Sequence, residues 1–161
     1  MPYLIDGNNL LGSWGPRQGH ADGRLEVVRR VSDFCRDHGC RATIVFDGRP
    51  LRDDRPEQQL GPVTVRFPAQ GEDADTVIRR MIAAAASPAE WIVVSSDKPV
   101  YSYARTRGAG VLRAHEWNAL ARARRPSTHG REAQVSEKPE RERDVEGWVR
   151  RFSDPRSTDE D

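Results

Sequence analysis

The sequence has few cysteines, few lysines and no long hydrophobic run. Its two cysteines, Cys35 and Cys40, fit a compartment in which thiols stay reduced. No apolar stretch approaches the roughly 18 residues of a membrane span. The first residues also lack a basic region followed by a long hydrophobic segment. These absences predict a cytoplasmic protein without a membrane-spanning segment.

The two cysteines flank His38, and such a grouping raises the question of a metal site. However, Val28, Val31 and Cys35 share the apolar stripe of one predicted helix, and no fourth ligand accompanies the trio. The pattern favours a cysteine in the core over a metal ligand.

Charge is divided unevenly along the chain. Residues 1–125 carry 19 basic and 15 acidic side chains, whereas residues 126–161 carry seven and ten. Lys98 and Lys138 are the only lysines. Arginine suits phosphate recognition, although a GC-rich genome accounts for this bias at least as well. The sequence thus indicates one mildly basic domain followed by a mildly acidic tail.

Apolar runs and helical stripes alternate through residues 1–125. Strands are predicted at the start of YLIDGNNLLG (3–12), in ATIVFDG (42–48), VTVRF (63–67), WIVVSSD (91–97) and GAGVLRA (108–114). Helices are predicted at about 22–38, within GEDADTVIRRMIAAAA (71–86), through Tyr101 and Tyr103, and at about 115–125. A Gly-rich connection through Trp14 and the segment at 49–62 are predicted as irregular. This alternation predicts an α/β fold with a parallel sheet.

Acidic residues follow three of the predicted strands. They are Asp6, Asp47 and Asp97, and Glu72, Asp73 and Asp75 crowd the start of a helix. In a parallel sheet these strand ends share one edge, where ligands bind in open α/β folds. Carboxylates gathered there repel one another unless a cation neutralises them, and hard oxygen ligands suit Mg²⁺ or Mn²⁺. The cluster therefore predicts a metal site.

Each aspartate also has a structural interpretation. A single strand-end aspartate is common as a helix cap or turn former. Asp6 and Asn8 could simply form a turn, with Gly7 supplying an unusual backbone angle. The convergence of three strand ends on one edge favours the functional interpretation.

Four motifs in a specific order carry a family resemblance. LIDGNNLL, IVFDG, GEDADTVI and VVSSD, spanning about residues 2–125, resemble the YacP-like branch of the NYN domains in the PIN-like nuclease superfamily. DVEGWVRRF, near the end of the chain, is similar to the carboxyl-terminal helix of that branch. The resemblance implies a three-layer fold with a central parallel sheet flanked by helices. It also implies RNA phosphodiester hydrolysis with divalent metal, on RNA held by the ribosome.

Matching the motifs implies the site residues. Asp6, Asp75 and Asp97 correspond to the acidic residues of the family, and Asn9 corresponds to its motif asparagine. Asp73 stands where relatives commonly have a hydroxyl residue, so its part is assigned through water. The expected cofactor is Mg²⁺ or Mn²⁺, without an organic cofactor.

The remaining candidates concern the substrate. Ser96, like Asn9, is expected to orient water or phosphate, whereas Asp47 either joins the site or shapes the following loop. Phosphate contacts are expected from Arg49, Arg79 and Lys98, with Arg52, Arg55 and Arg105 as further candidates. Trp14, Tyr101 and Tyr103 suit either base stacking or core packing.

The tail divides into three predicted parts. Residues 126–143 form a flexible polar linker, 144–153 a short amphipathic helix and 154–161 a disordered acidic end. The helix places Val145, Trp148, Val149 and Phe152 on one stripe. Docking on its own domain is favoured over docking on a partner protein or the ribosome, because the exposed aromatics would promote aggregation.

The leading hypothesis is a metal-dependent endoribonuclease built on a nuclease domain at 1–125. The alternative is an RNA-binding NYN module with weak or no catalytic activity. A phosphatase with a nucleophilic aspartate is disfavoured, because Asn8 stands where such an enzyme needs a second aspartate.

Overall fold

The computed structural model describes residues 1–15, 23–48, 50 and 55–123. Arg49 and Arg52, the linker predicted at 126–143, the helix predicted at 144–153 and the acidic end at 154–161 lie outside these residues. Among the described residues, no helix has both the length and the apolar character that crossing a membrane requires.

Strands and helices alternate along the described chain, as the sequence predicts. The strands are β1 (Tyr3–Asp6), β2 (Ala42–Val45), β3 (Glu57–Leu60), β4 (Val63–Arg66), β5 (Ile92–Val94) and β6 (Gly110–Leu112). The helices are α1 (Gly7–Gly12), α2 (Gly23–His38), α3 (Ala74–Ala84), α4 (Lys98–Thr106) and α5 (Ala114–Arg122), with a 3₁₀ turn at Pro88–Glu90.

The six strands form one sheet in the order β3-β4-β2-β1-β5-β6. β1 pairs in parallel with β2 on one side and with β5 on the other. β2 in turn pairs in parallel with β4, and β5 pairs in parallel with β6. Only β3 is antiparallel among the described strands. The carboxyl ends of the five parallel strands therefore lie along one edge, which we call the carboxyl edge.

Helices cover both faces of the sheet, giving the three layers expected. Along β1, Ile5 belongs to a buried cluster with Val28 of α2 and Trp117 of α5. Its neighbour Leu4 belongs to a second cluster with Ile78 of α3. Successive strand residues point to opposite faces, so an uninterrupted apolar strand such as β1 contributes to both clusters.

The prediction of an irregular segment at 49–62 is wrong in part, because this segment contains β3. The strand pairs with β4 through a turn at Gly61, whose φ is +61°. Of its four residues only Leu60 is buried. An edge strand needs few apolar residues. Because Gln58 and Gln59 are polar, the sequence pattern does not identify β3 as a strand.

Helix α1 starts directly after β1, where the sequence predicted a turn or a Gly-rich connection. Gly7 begins this helix, so the interpretation that it supplies an unusual backbone angle is wrong. A Cβ atom at Gly7 would lie 2.5 Å from the Phe46 ring and 2.9 Å from the Ile44 side chain. Glycine is required here because α1 approaches β2 closely.

The core assignment of the cysteines is confirmed. Cys35 is buried in α2, and Cys40 packs against the same cluster. His38 is exposed and stacks on the ring of Phe34, with 4.1 Å between the ring centroids. The trio is therefore part of the packing between α2 and the sheet.

Candidate active site

Asp6 occupies the centre of the carboxyl edge and is only 5% exposed. Its Oδ1 accepts a hydrogen bond from the Asn9 backbone N–H at 3.2 Å, which caps α1, and its Oδ2 accepts one from the Ser95 hydroxyl at 3.3 Å. Burial, together with the negative charges of Asp75 and Asp47, raises the pKa of Asp6 to about 6, although the two hydrogen bonds act to lower it. Asp6 is thus a carboxylate that the protein alone stabilises poorly.

Asp75 faces the same region from the first turn of α3. Its pKa is raised mainly by burial, and then by the negative charges of Asp97, Asp73 and Asp47, while Arg79 lowers it. The carboxylates that follow β1, β2 and β5 therefore lie close enough to Asp75 or to one another for their charges to interact. This is the convergence that the sequence predicts.

Ser95 connects the carboxylate of Asp6 to the backbone of Asp97 and is almost fully buried, at 1% exposure. Besides donating to Asp6, its Oγ accepts a hydrogen bond from the Asp97 backbone N–H at 3.1 Å. Asp97 in turn caps α4, because its Oδ1 accepts from the Val100 N–H at 3.2 Å. Ser95, which the sequence pattern does not distinguish from the predicted Ser96, is the serine between the two aspartates.

Two consecutive asparagines in α1 hold the neighbouring loops. Asn8 Oδ1 accepts a hydrogen bond from the Asp47 N–H at 3.0 Å, and Asn9 Oδ1 accepts one from the Ser96 N–H at 2.7 Å. The Ser96 hydroxyl accepts a further bond from the Ala114 N–H at 3.0 Å. The Asn pair therefore fixes the loops that follow β2 and β5 relative to Asp6, and the sequence analysis missed Asn8 in this role.

The start of α3 is fixed by two other aspartates. Asp73 caps the helix, with Oδ1 accepting from the Thr76 N–H at 2.8 Å and from its hydroxyl at 2.6 Å. These bonds lower the pKa of Asp73, first through the Thr76 hydroxyl. Asp47 Oδ1 accepts from the Ala74 N–H at 2.7 Å and so joins the loop after β2 to α3. Asp47 thus shapes the loop and also contributes charge to the site.

Comparison with known families identifies this arrangement. The family model of the YacP-like NYN domain matches residues 3–151. The chain belongs to the YacP-like NYN domain family. NYN domains are PIN-like, nuclease-type domains, so membership supports a role that involves RNA.

Solved structures agree on the fold. A crystal structure of a point mutant of Rae1 (YacP) from Bacillus subtilis is similar with a TM-score of 0.61 and 19% identity, covering 100% of this chain and 86% of that one. A second structure of Rae1 (YacP) from Bacillus subtilis has a TM-score of 0.59 and 21% identity, covering 94% of this chain and 80% of that one. None of the curated proteins matches the chain by sequence.

Of the four substrate residues predicted for this NYN domain, the three that the structure describes lie around the carboxyl edge. Ser96 and Lys98, on either side of Asp97, are exposed. Arg79 is exposed on α3, and its charge acts on Asp73 and Asp75. Arg49 lies outside the described residues.

The donor set of the YacP-like site suits a hard divalent cation in its chemistry. Aspartate oxygens are the ligands that Mg²⁺ and Mn²⁺ prefer. A cation would offset the burial and the charge repulsion that together raise the pKa of Asp6 and Asp75. In the ranges that the structure describes, however, no group of three His, Cys, Asp or Glu side chains is arranged to hold an ion. The carboxylates are near one another but are not closed around a single point.

Proposed function

We propose that this YacP-like NYN domain is a divalent-metal-dependent endoribonuclease that hydrolyses RNA phosphodiester bonds in the cytoplasm. The observation that carries the proposal is the convergence of Asp6, Asp75 and Asp97 on the carboxyl edge, with Asp6 buried at its centre. Family membership supports the same class of activity.

Electrostatics gives the reason why such a site needs a cation. Buried carboxylates close to one another either take up protons or bind a positive ion. Near pH 7 a pKa of about 6 leaves Asp6 mostly ionised, and the described residues provide two hydrogen bonds to its carboxylate. Mg²⁺ or Mn²⁺ would complete the neutralisation, and catalytic sites for phosphate chemistry use these ions.

The residues then have distinct roles. Asp6, Asp75 and Asp97 would hold the metal, and Asp73 would act through water. Held by these residues, a divalent cation would supply an activated water and would stabilise the leaving oxygen. Ser95 and Asn9 are positioning residues, because they fix the Asp97 loop relative to Asp6 by the hydrogen bonds described above.

The substrate would approach along the rim. Arg79 and Lys98, with Arg49, would contact phosphates, and Ser96 would orient water or phosphate. These contacts are few, and the chain has a formal net charge of only +1. RNA presented by the ribosome is therefore the substrate that we propose, because weak electrostatic attraction alone supports only weak binding.

A second candidate function is an RNA-binding NYN module with weak or no catalysis. The observation that favours it is the absence of a three-ligand group among the described residues. Asp6, Asp73 and Asp97 each cap a helix, so each has a structural use without metal.

Cleavage of end-labelled RNA by the purified protein discriminates the two functions. The assay compares Mn²⁺ with EDTA, each with and without ribosomes. We expect Mn²⁺-dependent products with 5′-phosphate ends, because water and not the ribose 2′-hydroxyl is the nucleophile. RNA binding without cleavage under all four conditions would support the binding module instead. Products with 2′,3′-cyclic ends would reveal a contaminating metal-independent nuclease.

A further inference from the structure

A second concave site lies between α2 and α5, away from the acidic residues. It has a volume of about 330 Å³. Its floor includes Phe34 and Trp117, which are 5% and 1% exposed and have ring centroids 5.5 Å apart. Its rim includes two acidic residues, Asp33 and Asp37, and two basic residues, Arg30 and Arg122. We call this site the α2–α5 groove, and its apolar floor with a charged rim is typical of a site that binds an amphipathic segment.

One polar atom at the floor lacks a partner in the described part of the chain. The Nε1 atom of Trp117 is buried and makes no hydrogen bond there. A buried donor is rarely left unpaired in a native protein. A group that packs against the groove and offers a backbone carbonyl would satisfy this N–H.

The position of the groove suggests where that group comes from. Arg122 both lines the groove and ends α5, so the chain leaves the described fold at the groove itself. Residues 123–143 separate it from Asp144. A polar chain of that length has a root-mean-square end-to-end distance of about 25 Å, which gives the following segment an effective concentration in the millimolar range.

The segment 144–153 has the pattern that such a groove accommodates. Val145, Trp148, Val149 and Phe152 recur at helical spacing and form one apolar stripe. A helix of ten residues is unstable alone in water and needs a surface to bind. The match to the YacP-like NYN domain also extends to residue 151, well past the end of α5. The segment therefore belongs to the domain and is not an unrelated appendage.

We propose that residues 144–153 of the same chain form a short helix that docks its apolar stripe in the α2–α5 groove. Trp148 would cover the floor formed by Phe34 and Trp117. Arg150 and Arg151 follow on the polar side. Of the two acidic residues that line the groove, Asp33 already pairs with Arg36, so Asp37 is the one that would match their charge.

The consequence of docking is stability and not catalysis. The groove is formed by the last half of α2 and the end of α5. Because α2 leads into the start of β2, the groove lies toward the edge of the sheet where the parallel strands begin. Asp6 lies at the opposite edge. The inference is independent of the proposed function, and its test requires no nuclease assay.

The test is a double-mutant cycle in the full-length chain, followed by thermal melting. The variants are Trp148→Ala on the stripe, Ala121→Asp in the groove and the combination of both. Glu146→Ala, off the stripe and without a role in the proposed contact, is the matched control. We expect Trp148→Ala to lower the melting temperature by about 4 °C or more and the control to change it by less than about 1 °C. In the combination, Trp148→Ala should add little, because its contact is already lost. Fully additive effects would overturn the proposal.

Amide chemical shifts provide a second test. This test does not use Ala121→Asp, so it remains valid if that variant does not fold. Comparing the wild type with Trp148→Ala, we expect the largest shifts at Phe34, His38 and Asn118 around the groove. Shifts confined to another face would place the segment elsewhere. A melting temperature and sedimentation behaviour that depend on protein concentration would show docking between two copies, and this outcome also contradicts docking within one chain.

Discussion

The side-chain oxygen of Asn9 accepts a hydrogen bond from the backbone N–H of Ser96 at 2.7 Å, joining α1 to the loop that follows β5. The same loop carries Asp97, and the same helix is capped by Asp6. The distance between these two carboxylates is therefore governed by a neutral side chain that adds no charge to an already crowded edge.

Replacing this asparagine should loosen the site without removing a carboxylate. We expect Asn9→Ala to lower the free energy of unfolding by about 1 kcal/mol through the lost hydrogen bond. Mn²⁺ affinity, measured by titration calorimetry, should fall by about tenfold, as is usual when a residue that orients metal ligands is removed. Asn8→Ala is the matched control, since it frees the Asp47 loop instead. Equal losses of affinity in both variants would show that Asp47 is also a ligand.

Asp97→Asn should remove metal binding while keeping the fold. The variant retains an oxygen that can accept the Val100 N–H, so the cap of α4 is preserved. It also removes one of the charges that repel Asp75. We expect a metal-free melting temperature no lower than that of the wild type, together with loss of the Mn²⁺-induced increase. Asp37→Asn, an exposed residue on α2, should keep that increase. A Mn²⁺-induced increase equal to that of the wild type would contradict the assignment.

The stability of the metal-free protein should depend on pH through Asp6. The folded-state pKa of about 6 lies above the ordinary value of about 4, so the folded state binds this proton more tightly than the unfolded state does. Stability contributed by Asp6 is therefore fully present below about pH 4, falls as the pH rises to about 6, and stays lost above it. The loss is on the order of 2 to 3 kcal/mol.

Comparison with Asp6→Asn isolates this contribution, because all other titrating groups are common to both proteins. In EDTA, we expect the Asn variant to gain about 2 kcal/mol of stability relative to the wild type between pH 4.5 and pH 7.5, as measured by urea unfolding. A stability difference that is constant across this range would show that Asp6 does not titrate there.

Arg79 should contribute to RNA binding by contacting a phosphate. We expect Arg79→Ala to weaken binding of single-stranded RNA and to reduce the salt dependence by about 0.7 in the slope of log K against log salt. Arg80→Ala, next to it on α3, is the control, because Arg80 is paired with Glu72. If both variants have the same slope as the wild type, the RNA does not pass over this side of the rim.

The sequence was sufficient to predict the position of the acidic residues. Asp6 and Asp97 follow short apolar strands that are buried on both faces, and this pattern both identifies parallel strands and places their ends at one edge. The order of the helices and strands followed from the same alternation. These features depend on local hydrophobic pattern, which is the strongest signal in a single sequence.

The sequence pattern could not predict which of two adjacent serines points into the site, nor the short elements β3 and α1. Ser95 and Ser96 are adjacent and chemically equal, and only the continuation of β5 beside β6, through the bond from the Ser95 N–H to the Leu112 carbonyl, decides which serine points inward. β3 was missed because an edge strand needs few apolar residues. α1 was missed because it has six residues with glycine at both ends, and its stability comes from tertiary packing of Leu10.

Cleavage and binding of the same labelled RNA by wild type and Asp6→Asn, in Mn²⁺, test the central claim most directly. The account predicts that the variant binds the RNA within about threefold of the wild-type affinity, because phosphate contacts come from the basic rim. It also predicts that cleavage falls by at least about a thousandfold, because the carboxylate at the centre of the site is lost. Cleavage by Asp6→Asn near the wild-type rate would contradict the account and place the chemistry elsewhere.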